Sequence, residues 1–180
     1  MRADARDNRA RVLTAAEKVF GTDPDASTEA VAKLAGVGIG TVFRHFPAKR
    51  DLLEAVLTVR LERLAEQARA LAEAADPGRA FYDFFDQVVT EAPGKLAVAD
   101  ALVKSGATAG PSAKAAGAAL REAFAELLTR AQAAGAVQAD AGFAEVYALL
   151  VGTSRGAIAV DLNPADRDAL LALAHRALRP

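Results

Sequence analysis

The chain has 180 residues, a net charge of −1 and no cysteine. A chain of this length can bury a core without disulfides or structural metals, and the lack of cysteine excludes disulfide bonds, thiolate metal sites and cysteine nucleophiles. The near-neutral charge gives no general argument for nucleic-acid binding, which must rest on where the basic side chains lie. The two histidines, His45 and His175, are far apart in the sequence, so we expect no histidine metal site and no cofactor.

The N-terminus and the hydropathy pattern predict a cytoplasmic protein. The opening sequence "MRADARDNRARVL" lacks the apolar segment of a signal peptide. No run of about 18 apolar residues is present that could span a bilayer. We therefore expect no membrane partner.

The chain is predicted to be all-α, because alanine and leucine dominate and no alternating run of Val, Ile or Thr indicates a strand. The first helix is expected at 7–20. Ser27 or Thr28 should cap a second helix that ends at Gly36, since glycine readily adopts the left-handed conformation of a helix end. Pro47 is expected to open a long fourth helix, because its fixed φ suits the first helical position. The remaining predicted helices are 38–46 (the third), 79–91, 94–105, 112–134, 141–160 and 164–178, and the fourth is expected to continue to about residue 75.

The stretch "GVGIGTVFRHF", residues 36–46, has two opposing interpretations. A phosphate-binding loop needs a strand before the glycines, and a P-loop also needs Gly-Lys-Ser/Thr. The preceding "AVAKLA" has helical spacing and Gly40 is followed by Thr41, so the pattern favours a helix, a tight turn and a second helix. In such a unit the start of the second helix faces base edges in the major groove. The expected apolar core of the unit is Val31, Leu34, Val37, Val42 and Phe46.

A plain connection between helices is the alternative, with Phe43 and Phe46 both in the core. The longer segment "STEAVAKLAGVGIGTVFRHFPAKRDLLEAVL", Ser27 to Leu57, resembles the DNA-binding segment of the TetR family of transcriptional regulators. The family's recurring elements occur in order: a Ser or Thr cap, "AGV", a Thr, an aromatic residue, "HF", and a Lys followed by "LL".

The resemblance implies a three-helix DNA-binding head with a helix-turn-helix at residues 1–55. It implies a helical body for ligand binding and dimerisation at 56–180, joined to the head by a long connecting helix. The implied function is a ligand-responsive transcriptional regulator and not an enzyme. A homodimer on a palindromic double-stranded DNA operator is expected, and a small apolar effector would release this repressor from DNA.

The resemblance also assigns roles to single residues. Thr28 and Lys49 match positions that contact the DNA backbone, and Phe43 and His45 match the aromatic residue and histidine that usually bind phosphate. The full set of expected DNA-binding residues is Thr28, Ile39, Gly40, Thr41, Phe43, Arg44, His45 and Lys49. Two departures stand out: Phe43 replaces the commoner tyrosine and lacks its hydroxyl, and Gly38 replaces a serine that would cap the recognition helix.

An aromatic cluster in the body is the candidate effector site, because ligand pockets are mostly lined by apolar and aromatic groups. Its members are Phe81, Phe84, Phe85, Val88, Leu102 and Phe124. An aromatic stripe at helical spacing is also typical of a core, so both interpretations stay open. His175, near the chain end, is expected to be a solvated residue favoured by the helix dipole.

A small-residue stripe on the predicted helix 141–160 is the candidate dimer interface. Two recognition helices must meet half-sites about one helical turn apart to read a palindrome, which requires a two-fold dimer. The expected interface residues are Tyr147, Ala148, Val151, Gly152, Arg155 and Gly156. Packing within the subunit is the alternative.

Two other classes of function remain open at this stage. A helical small-molecule-binding or interaction module without sequence-specific DNA binding would fit the departures at Phe43 and Gly38. An enzyme is not expected. The chain has no recognisable Ser/His/Asp signature, and the sequence gives no reason to place two carboxylates close together.

Overall fold

The structure, a computed structural model, describes residues 2–180, with side chains described from Arg6 onward. Within this range the chain forms eight α-helices and no strand, which confirms the predicted all-α class. The helices are α1 (Arg2–Thr22), α2 (Thr28–Ala35), α3 (Ile39–His45), α4 (Lys49–Ala72), α5 (Pro77–Lys104), α6 (Pro111–Ala133), α7 (Phe143–Ala159) and α8 (Pro164–Leu178).

The predicted ends of α2 are confirmed. The Ser27 hydroxyl accepts a hydrogen bond from the Ala30 amide at 3.4 Å, which satisfies one of the free N–H groups of the first turn. At the other end Gly36 has φ 65°, a left-handed conformation in which a Cβ would be strained. The amide of Val37 then donates to the Ala32 carbonyl at 3.1 Å, and the chain turns sharply into α3.

The predicted start of α4 at Pro47 is wrong, because Ala48 is the capping residue and the helix begins at Lys49. The Ala48 amide donates to Oδ2 of Asp51 at 2.9 Å, and the Ala48 carbonyl accepts from the Asp51 amide at 3.0 Å. This reciprocal pair fixes the first turn two residues later than the proline signal indicates. The helix ends at Ala72, before the predicted residue 75.

The predicted break between helices 79–91 and 94–105 is also wrong. Residues 77–104 form the single helix α5, with Pro93 inside it. Proline lacks an N–H, so it removes a backbone hydrogen bond and crowds the preceding turn, yet it does not end this helix.

The chain divides into two compact units. The first unit contains the residues up to Leu61 together with Gly94–Ala116, and the second unit contains Glu62–Pro93 and Gly117–Pro180. α4, α5 and α6 therefore each contribute to both units. The boundary between residues 55 and 56 that the family resemblance implies stays a prediction.

The first unit has its own apolar core. Val31 and Val42 are fully buried and Phe46 is 5% exposed, as predicted, whereas Leu34 is 54% exposed and its predicted core position is wrong. The buried side of α2 is formed by Thr28, Val31, Ala32 and Ala35, and Leu34 lies outside this stripe although it follows Val31 by three residues. Further buried members come from α1, α4, α5 and α6: Val12, Ala16, Phe20, Leu52, Leu53, Val56, Val98, Ala101, Leu102 and Ala113.

The second unit is built around four phenylalanines. The core contains Phe81, Phe84 and Phe85 of α5 and Phe124 of α6, packed with apolar residues of α4, α7 and α8. The rings of Phe81 and Phe124 stack with centroids 5.6 Å apart. Each unit thus has a hydrophobic cluster of its own.

Candidate nucleic-acid interface

The short helix α3 begins directly after the left-handed turn. Gly38 occupies the capping position in an extended conformation, with φ −69° and ψ 147°, and provides no side-chain hydrogen bond. The first turn is held by the backbone bond from the Thr41 amide to the Gly38 carbonyl at 2.8 Å. This confirms the expectation that a glycine here leaves the helix without a side-chain cap.

One face of α3 is buried and the other is exposed. Val42 is fully buried and Phe46, just after the helix, is 5% exposed, so these two side chains fix the helix against the first unit's core. The remaining residues point outward to different degrees. Ile39, Gly40, Phe43 and Arg44 are exposed, and Thr41 and His45 are half-buried.

The exposure of Phe43 separates it from the core residues of this stretch. Its side chain is 42% exposed, so the alternative in which both phenylalanines are core is wrong for Phe43. A Cβ placed at Gly40 would meet no atom within 4 Å, which leaves the backbone open to close approach at that point. We call the six outward residues, Ile39, Gly40, Thr41, Phe43, Arg44 and His45, the exposed face of α3.

The two residues expected to contact the DNA backbone lie at the starts of two other helices. Thr28 is the first residue of α2 and Lys49 the first residue of α4, where free N–H groups and the helix dipole favour anions such as phosphate. The Lys49 ammonium lies 5.4 Å from the centroid of the Phe20 ring, so a cation–π contact orients it. Thr28 is only 9% exposed, and its side chain offers little contact area.

Two cations of the first unit pack against core rings. Besides Lys49, Arg9 of α1 places its guanidinium carbon 5.3 Å from the centroid of the Phe46 ring. The sequence did not indicate this role for Arg9, because the two residues are 37 positions apart and the contact depends on the tertiary fold. The Arg9 guanidinium adds a positive charge beside Phe46, the residue that caps the C-terminal end of α3.

A carboxylate lies at the start of α2. Glu29 is in the first turn of α2 and fully exposed. Hydrogen bonds from its own backbone amide, and then from the Ser27 hydroxyl, lower the pKa of this carboxyl. It is therefore ionised at neutral pH and adds a negative charge next to Thr28.

The six candidate effector residues do not all come together. Phe81, Phe84, Phe85, Val88 and Phe124 share the second unit's core, whereas Leu102 is in the core of the first unit. The phenylalanines of the cluster are at most 1% exposed. The packing matches the core interpretation of this stripe, and a role in effector binding stays a prediction.

The dimer candidates lie on one side of α7. Val146 and Leu150 are buried on the opposite side, while Val151 is 37% exposed. Ala148, Gly152, Arg155 and Gly156 are also exposed, and Tyr147 is half-buried. The Tyr147 ring stacks on Phe143 with centroids 5.7 Å apart. On the neighbouring helix α8, the apolar side chain of Leu173 is also exposed, at 55%.

The expectation that His175 is solvated is wrong. Its side chain is 17% exposed, and Nε2 lies 2.7 Å from Oδ1 of Asp86 on α5. The ring also packs on Tyr82, with centroids 4.5 Å apart. Burial raises the pKa of Asp86, and the neighbouring His175 opposes that rise. A contact across 89 positions leaves no local signal in the sequence.

Among the side chains that the structure describes, from Arg6 onward, there is no group of three or more His, Asp or Glu placed to hold a metal ion. Within the same range, every helix is too short or too polar to cross a membrane.

Family models match both parts of the chain. Residues 12–56 match the model of bacterial regulatory proteins of the tetR family, and residues 76–180 match the C-terminal domain of SbtR-like transcriptional regulators. The chain belongs to the TetR family. The resemblance seen in Ser27 to Leu57 is thus confirmed, and it extends through the helical body.

Solved structures of TetR regulators share the fold over nearly the whole chain. The TetR transcription regulatory protein of Mycobacterium vanbaalenii is 37% identical, with 99% of each chain covered and a TM-score of 0.80. The TetR regulator SCO0520 of Streptomyces coelicolor is 30% identical, with 96% of this chain and 98% of that chain covered and a TM-score of 0.77.

A curated relative matches over about a third of its length. The HTH-type transcriptional regulator SAR0097 of Staphylococcus aureus is 35% identical over 66 residues, which is 35% of each chain. The chain therefore spans about a third of the length of this relative.

Proposed function

We propose that this TetR-family chain is a cytoplasmic transcriptional repressor that binds a palindromic operator as a homodimer and is released by a small apolar effector. The observation that carries the proposal is the exposed face of α3, held by the buried Val42 and Phe46 in a segment that matches the tetR family model. A helix fixed in this way can enter the major groove with its first turn toward the bases.

The chemistry of the exposed face suits base and phosphate contacts. Arg44 can donate two hydrogen bonds to guanine or contact a phosphate, and the methyl groups of Ile39 and Thr41 can pack on thymine methyls. Gly40 allows close approach of the backbone. His45 and Lys49 can donate to phosphates. Phe43 has no hydroxyl, so packing against sugar is the contact it can supply.

Dimerisation is supported by the exposed side of α7. Gly152 and Gly156 have open space where a Cβ would lie, and small residues of this kind let a partner helix approach closely. A closed two-fold interface places identical recognition helices on both half-sites of a palindrome. Occupying promoter DNA in this way would block transcription.

Effector response is proposed for the second unit. Its aromatic cluster would suit an apolar molecule, and because the rings pack against one another, such a molecule must favour a rearranged form. A ligand shifts the equilibrium only by its different affinity for the two forms. Release from DNA therefore requires tighter binding to the form with the weaker operator affinity.

Selection from a genomic DNA library tests the proposal. The purified chain is incubated with fragmented DNA of its host, and the retained fragments are sequenced. Enrichment of one palindromic site supports the repressor. If nothing is enriched at low salt, where electrostatic binding is strongest, sequence-specific DNA binding is contradicted and the helical binding module becomes the better description.

A further inference from the structure

Arg60 of α4 joins three helices of the first unit. Nη2 of its guanidinium donates to the carbonyl of Glu17 on α1 at 2.9 Å, and Nη1 donates to the carbonyl of Gly94 on α5. The guanidinium is planar, with several donors in a fixed fork, so it can hold two carbonyls from different helices at once. A lysine ammonium has no such fork.

Two glycines make room for this guanidinium. A Cβ at Gly21 would lie 2.8 Å from Nη2 of Arg60, and a Cβ at Gly94 would lie 3.3 Å from Nη1. Any side chain at Gly21 would therefore push the guanidinium away. The absence of side chains on both neighbouring helices gives Arg60 its position.

The helix segment that Arg60 holds is part of the first unit's core. Val98 is fully buried and Leu102 is 2% exposed, in the same cluster as residues of α1 to α4. α4 also holds the far end of this segment, because its Glu54 carboxylate occupies the space next to Gly110 where a Cβ would otherwise lie. Two charged side chains of α4, Arg60 and Glu54, thus lie against the two ends of the segment 94–110.

We propose that Arg60 is a positioning residue for operator binding, which acts by fixing α1 and α4 to the segment that begins at Gly94 and does not itself contact DNA. α1 packs against both α2 and α3, so a shift of α1 would displace the helices that carry the DNA contacts. This inference rests on the operator binding proposed above.

Four variants separate the possibilities. Arg60→Met keeps an unbranched stem and removes the donors, and Arg60→Lys keeps the charge and loses the fork. Gly21→Ala displaces the guanidinium while replacing glycine by the better helix former. Arg69→Met is the matched control, because Arg69 is an exposed arginine further along α4, within the second unit.

Hydrogen exchange of the full chain without DNA tests the contact itself. In Arg60→Met we expect amides at the C-terminal end of α1 and in 94–104 to exchange about tenfold faster, while those of the second unit are unchanged. Exchange equal to that of Arg69→Met would overturn the proposal, and so would faster exchange spread evenly over both units. If Arg60→Met fails to fold, Arg60→Lys and Gly21→Ala give the same comparison.

Operator affinity tests the positioning role. Arg60→Met and Gly21→Ala should weaken operator binding about tenfold. The operator affinity of Arg60→Lys should lie between that of these two variants and that of the wild type. The slope of log affinity against log salt should not change, whereas loss of a phosphate contact lowers it by about one. A lowered slope, or an affinity equal to that of the control, would overturn the proposal. If the wild type retains no site at all, the repressor function fails, and hydrogen exchange alone decides the role of Arg60.

Discussion

At the residue scale, the charges around α2 act against one another. Thr28 and the free amides at the start of α2 favour phosphate, but Glu29 in the same turn is exposed and has a lowered pKa. A carboxylate there repels phosphate and also stabilises the start of its own helix. DNA affinity and head stability therefore have opposite requirements at this position.

Glu29→Gln should tighten operator binding about threefold at low salt, because removal of an exposed charge changes the interaction by a fraction of a kcal/mol. The gain should shrink as salt screens it. Binding titrations at several salt concentrations measure it, with Glu66→Gln, an exposed glutamate of the second unit, as the control. Weaker binding in Glu29→Gln would show that the carboxylate supports the DNA-bound form.

The same variant should change the response to acid. The folded pKa of Glu29 lies below the usual value of 4.5, so its ionised form adds stability above that value and the contribution is lost as the pH falls through the folded pKa. In Glu29→Gln this acid-dependent loss should be absent.

At the element scale, two glycines two residues apart have opposite roles at the ends of α2 and α3. Gly36 has a positive φ of 65°, and Gly38 caps α3 in an extended conformation that any residue can adopt. A Cβ at either position would meet nothing within 4 Å. Backbone conformation alone therefore distinguishes them.

Gly36→Ala should destabilise the chain by about 1–2 kcal/mol, the cost of placing a Cβ in the left-handed region. Gly38→Ser should stabilise it by a few tenths of a kcal/mol, because a hydroxyl can then cap α3. Urea unfolding followed by helical circular dichroism measures both differences in the free energy of unfolding. The same sign for both substitutions would contradict this description of the turn.

Local signals explain which elements could be predicted from the sequence. α8 begins at Pro164, as predicted, and the Asn163 side chain caps it by accepting a hydrogen bond from the Asp166 amide. The continuity of α5 through Pro93 could not be predicted, since it depends on packing on either side of the proline. The buried positions Val42 and Phe46 were predicted from the sequence, whereas the Arg60 and His175 contacts join positions more than 30 residues apart.

At the scale of the whole molecule, the proposed dimer requires the exposed side of α7. Val151→Asp places a charge in the middle of this side without disturbing the buried Val146 and Leu150. We expect the dimer to dissociate at micromolar concentration and operator affinity to fall at least 100-fold, because one recognition helix cannot read both half-sites.

Sedimentation of the free protein and binding to the selected site measure the two effects. The matched control is Val103→Asp, since Val103 is 70% exposed and belongs to the first unit. A dimer that persists in Val151→Asp would place the interface elsewhere.

The proposal that the exposed face of α3 reads DNA is tested by the salt dependence of operator binding by the wild type and Arg44→Ala. We expect Arg44→Ala to bind more weakly by about 1–3 kcal/mol if Arg44 contacts a base, with reduced discrimination against mutated sites. If it contacts phosphate instead, the salt slope should fall by about one for each subunit. If Arg44→Ala keeps the affinity, the salt slope and the discrimination against mutated sites of the wild type, the assignment of this face to DNA is contradicted.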